Sequence, residues 1–149
     1  MPLFRRALEA LVNGLLVALL APPLAGLIYV VTSVVGGALS REPVADTNLS
    51  SLSLLLLGAT SGAYLVGAAP SFVAGLTMPA LRAAFSPLAA ALVAGAVGSV
   101  AYLLSFGAHV MDGPDMGASL RNYVLPAFCG VAAAALLGQF MLKPRREAS

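Results

Sequence analysis

Residues 49–78 read LSSLSLLLLGATSGAYLVGAAPSFVAGLTM, an apolar stretch with no charge and many small residues. An α-helix rises about 1.5 Å per residue and a bilayer core is about 30 Å thick, so about twenty apolar residues cross it. The stretch exceeds that length and reads as a membrane-crossing helix. It is also expected to be the helix against which the others pack.

The rest of the chain agrees with a lipid environment. Of its 149 residues, 60% are hydrophobic and only 9% are charged, and the mean hydropathy is +0.95. A soluble domain carries roughly a quarter charged residues and could not hide this much apolar surface. The net charge of +2 does not point to nucleic acid. The bases sit at the ends of apolar segments and form no stripe, so they orient membrane helices instead.

The charges divide the chain into four free intervals, residues 10–40, 47–81, 83–111 and 122–142. Each has room for one spanning helix and none for two. The expected fold is an all-α integral membrane bundle of four transmembrane helices, a single domain over residues 1–149. The helices are placed at about 8–39, 49–77, 86–106 and 120–142. Proline lacks an N–H and clashes with the preceding turn, so kinks are expected at Pro22/Pro23 and at Pro70. Ser86-Pro87 reads as an N-cap followed by proline at the first helical position. The first interval resembles a secretory leader at its start, but the apolar run continues past Ala21-Pro22, so it reads as a retained helix.

Orientation follows from the bases. With the N-terminus inside, the inner side carries Arg5, Arg6, Arg82, Lys143, Arg145 and Arg146, and the outer side Arg41 and Arg121. That asymmetry places both termini in the cytoplasm of a bacterial-type inner membrane.

Small residues recur every four positions: Gly58 and Gly62; Gly67, Ser71 and Gly75; Ala91, Gly95 and Ser99; Gly130, Ala134 and Gly138. Such rows lie on one helix face and let backbones approach closely. They suit packing within the bundle or against another membrane protein, including a second copy. Gly67 and Gly75 in particular are expected to sit in a packed seam. Thr60, Tyr64, Gly67, Ser71 and Gly75 fall near one face of the second helix, which could instead line a small polar crevice beside Pro70.

Chemistry-bearing groups are sparse. No charge lies in mid-membrane, where it would mark a functional site. Glu9 follows Arg5 by four residues and is expected to pair with it at the inner interface. Asn13, one turn deeper, is expected to hydrogen-bond between helices. His109, Asp112 and Asp115 have metal-ligand side chains, but Gly113-Pro114 breaks any helix that would align them, and a solvated outer turn is expected. An enzyme acting on lipid headgroups through that loop would need His109. Cys129 is a lone thiol in an apolar run and reads as a small buried hydrophobe. No nucleophile–base pair, phosphate-binding loop or paired carboxylate occurs, so neither catalysis nor a cofactor or metal is expected.

The expected function is therefore non-catalytic: a packing, assembly or regulatory subunit whose partners are the bilayer, other membrane proteins or its own copies. The alternative is a small homo-oligomeric transporter or channel for a neutral solute or lipid, with its path along Thr60, Tyr64 and Ser71.

Overall fold

A computed structural model describes residues 2–39, 49–111, 117 and 120–141. Every regular element among them is helical. Helix α1 covers Pro2–Leu39, α2 Leu49–Leu76, a short α3 Met78–Ala84, and α4 Pro87–Met111. A π-helical turn, Leu120–Val124, leads into α5, Leu125–Met141. Three stretches are long and apolar enough to cross a bilayer, Leu3–Val35, Ser50–Leu76 and Pro87–Phe106. α5 is a shorter apolar helix. The protein is thus all-α, with three long apolar helices and a fourth, shorter one.

The element ends have local causes. α1 starts at Pro2 and not near residue 8, because proline is tolerated in a first turn and Arg5, Arg6 and Glu9 do not break a helix. α4 starts as expected at Pro87, and the Ser86 hydroxyl accepts the Ala89 N–H at 3.4 Å. It runs past Phe106 to Met111, since nothing between Gly107 and Met111 stops it. The expected stop at Gly113-Pro114, the loop at 40–48 and the tail after 141 lie outside the described residues. α3 occupies a segment that the sequence reading leaves between the second and third helices. Its seven residues are too few to show a periodicity. Pro22, Pro23 and Pro70 lie inside helices that continue through them.

Neighbouring helices run antiparallel. Near the α1 N-terminal half, Gly14 faces Phe72 and Leu76 of α2, and further along Gly26 faces Thr60. On its other flank α1 meets α5, where Leu16 lies over Gly138 and Ala21 and Ala25 lie over Gly130. α4 closes the ring between α2 and α5, with Gly95 against Phe128 and Ala132 and Gly98 against Val131 and Ala74.

The hub is α1, not α2. α1 packs extensively along both α2 and α5, whereas α2 touches α4 less and α5 hardly at all. The reason is a row of small residues on α1: Gly14, Ala18, Pro22 and Gly26, spaced by four, three of them buried and Ala18 half-buried. Beside it, Val17 and Ala21 are buried. This row contains a proline, Pro22, and no Gly-x3-Gly pair, which is why a search for glycine rows passes over it. The core lies at the end of the bundle near the α2–α3–α4 connection. There Val17, Ala21, Ala74, Met78, Ala90, Ala94, Val131 and Ala134 interlock. Met78, the largest side chain wholly enclosed, is donated by α3.

Candidate functional site

Away from that core the helices part, and a crevice of about 400 Å³ lies among α1, α2, α4, the π turn and α5. α1 contributes Pro22, Gly26 and Tyr29, and α2 contributes Gly62, Gly67, Pro70 and Ser71. Gly98 and Tyr102 of α4, Tyr123 of the π turn, and Pro126 and Val131 of α5 complete the wall. Small residues make the space: a glycine or alanine leaves a void where a leucine would fill the gap between helices. The floor is buried, including Pro22, Pro70, Ser71, Gly98, Pro126 and Val131, while Gly62 and Tyr123 at the mouth are exposed. The mouth falls where α2 and the start of α5 barely meet.

Three prolines line this space. Pro22, Pro70 and Pro126 each remove an N–H that would have bonded a carbonyl one turn earlier. For Pro70 that carbonyl belongs to Val66, also a lining residue. Beside Pro126 the helix widens into the π turn that carries Tyr123. Hydroxyls supply the other polarity. Ser71 is 3% exposed and Tyr102 8% exposed, and neither side chain has a hydrogen-bond partner among the described residues. The one wholly enclosed, unbonded side-chain atom among them is Arg82 Nε, so the Ser71 and Tyr102 oxygens open onto accessible space. Among the described residues, no charged side chain lines the crevice.

The residues singled out on α2 separate into three groups. Gly75 is in the packed seam, where an added Cβ would lie 2.7 Å from the Asn13 carbonyl oxygen and from Gly14 Cα. A Cβ added at Gly58, Gly62 or Gly67 would meet nothing within 4 Å beyond its own stretch of helix; Gly62 and Gly67 border the crevice. Thr60 packs on Gly26, and the Tyr64 hydroxyl bonds across to α1. Of Thr60, Tyr64 and Ser71, Ser71 alone lines the crevice. The tyrosines that line it, Tyr29, Tyr102 and Tyr123, come from three other elements. Periodicity within one helix could not bring them together.

A second polar group lies at the packed end. Arg82 of α3 donates from Nη2 to Asn13 Oδ1 at 3.0 Å, and Asn13 Nδ2 donates to the Glu9 carbonyl at 2.7 Å. Asn13 therefore makes the interhelical bond expected of it, while 2% exposed. Burial pulls the Arg82 guanidinium below its ordinary pKa, and the Glu9 carboxylate opposes that pull. The expected Arg5–Glu9 ion pair does not form. Both side chains are exposed, where such a pair gains little, and the Glu9 charge acts on Arg82 instead.

Cys129 is a half-buried free thiol. Asp112 and Asp115 lie outside the described residues, as does the side chain of His109. Among the described residues no cluster of potential metal ligands occurs. Compared with protein-family models, curated proteins and solved structures, the chain matches none.

Proposed function

We propose that this chain is a four-span protein of a bacterial-type inner membrane, with both termini cytoplasmic, that works by packing against other membrane helices. It serves as an assembly or regulatory subunit and not as a catalyst. The observation that carries this reading is the outer face of α2. Not one residue of its most apolar eighteen-residue window is buried, against a third or more in the windows of α1 and α4. Along that face Gly58 and Gly62 are exposed and have open space where neighbours would be.

In lipid there is no hydrophobic drive between helices, so close backbone approach over small residues supplies the contact energy. α1 already uses such residues to hold α2 and α5. The glycines at positions 58 and 62 present the same chemistry outward. The partner that fits is a transmembrane helix with its own small or β-branched face.

Purification in mild detergent followed by native mass spectrometry tests the reading. The expected result is a complex, with a second protein or a second copy, that Gly58→Leu or Gly62→Leu dissociates while the monomer stays folded. A protein that runs as a monomer with nothing bound overturns it.

A further inference from the structure

We infer that the crevice among the helices is a binding site for one uncharged, elongated amphiphile drawn from the membrane: an aliphatic chain ending in a hydroxyl or carbonyl group. The site shares Gly62 at its mouth with the outer face of α2, but Ser71, Tyr102 and Gly67 lie away from that face's Gly58, and the inference does not depend on the assembly reading.

Three observations carry it. The volume of about 400 Å³ lies in the range of small-molecule pockets, about 300–1,000 Å³. The wall is apolar with a few polar points, the pattern that buries a chain and fixes one end of it. Those polar points are unsatisfied. Ser71 and Tyr102 are more than nine-tenths buried, have no partner among the described residues, and open onto the crevice. A hydrogen bond to each of these hydroxyls is worth about 0.5–1.5 kcal/mol net, so a ligand that bonds both gains over one that bonds neither.

Charge and depth select the ligand. With no ionisable group beyond tyrosine among the described wall residues, an anion or cation would enter without compensation from them. The packed end of α2 is at Leu76. From there Ser71 lies about 8 Å and Gly62 about 21 Å along the axis. The mouth thus opens within a hydrocarbon core about 30 Å thick, toward the leaflet opposite the packed end. A chain entering there would lie along the helices, with its polar group between Ser71 and Tyr102.

The test uses the full chain in detergent with three probes that each carry a twelve-carbon chain: 1-monolaurin, dodecane and laurate. Binding is read by native mass spectrometry and by the shift in melting temperature. Monolaurin is expected to bind one to one and raise the melting temperature, dodecane to bind more weakly, and laurate not to bind at pH 8. Gly67→Leu places a side chain in the open space beside the glycine; it is expected to abolish binding yet melt with the parent. Ser71→Ala and Tyr102→Phe should each weaken monolaurin about tenfold and leave dodecane unchanged. Equal binding of all three probes, or full monolaurin binding by Gly67→Leu, overturns the inference. So does a parent protein that binds none of them.

Discussion

The Tyr64 hydroxyl of α2 donates a 2.6 Å hydrogen bond to the backbone carbonyl of Leu19 in α1. Leu19 lies four residues before Pro23, so its carbonyl lacks the amide that would close the helical turn. The tyrosine on the neighbouring helix replaces that amide. The proline defect in α1 and the docking of α2 are therefore one interaction. In a membrane the free carbonyl has no water to turn to.

Tyr64→Phe should therefore destabilise the protein although it removes a single oxygen. Intramembrane hydrogen bonds average about 0.6 kcal/mol and reach about 1.7 kcal/mol. Pro23→Ala restores the missing N–H, so the cost of Tyr64→Phe should shrink in that background. Detergent unfolding of the four variants forms a double-mutant cycle. Additive effects would mean that the bond does not answer the proline.

Gly75 and Gly67 should respond in opposite ways to the same substitution. At Gly75 a Cβ would meet Gly14 Cα at 2.7 Å and Val17 Cβ at 3.0 Å, and both belong to a helix held on two sides. Overpacking of this kind costs about 1–3 kcal/mol or more. Gly75→Leu should lower the melting temperature and the folded yield, while Gly67→Leu and the lipid-facing control Leu55→Ile should not. Equal losses at positions 67 and 75 would contradict the open space beside Gly67.

Asn13 and Arg82 should behave as a coupled pair. Asn13→Leu leaves a guanidinium whose Nε is already enclosed without a partner and now lacks its acceptor at Nη2 as well. Hydrogen bonds to charged groups are worth about 1.5–3 kcal/mol, and a loss of that order is expected in thermal melts. Asn13→Asp keeps an acceptor and should retain most of the stability. Replacing both residues by leucine should cost less than Asn13→Leu alone, since no buried charge is then stranded. A double variant worse than the single would disprove the coupling.

Topology can be read with reporters. The six inner bases against two outer ones predict that a fusion at Ser149 reports from the cytoplasm and an insertion between residues 113 and 118 from the opposite side. A cytoplasmic signal from both would leave an even number of crossings between them, and α5 would need a different placement.

Much of the architecture was legible in the chain itself. Charge is costly in hydrocarbon, so the charge-free intervals mark the apolar helices, and the Ser86-Pro87 pair marks the start of α4 because its capping chemistry is local. Asn13 could be read as an interhelical bond because a polar side chain at that depth has few other options. The hub was not legible, and of the crevice only the part of its wall formed by Gly67, Pro70 and Ser71 was. Spacing by four residues tells which side chains share a face of one helix, but not which other helix covers that face. Gly67 and Gly75 sit in the same row, yet one borders a void and the other touches the backbone of α1. That difference arises from where α2 lies against α1 and where it leaves α5, a geometry set by the small residues of α1. The crevice likewise needs Ser71, Tyr102 and Tyr123 from three elements far apart in sequence. Only the packing of whole helices brings their hydroxyls around one space.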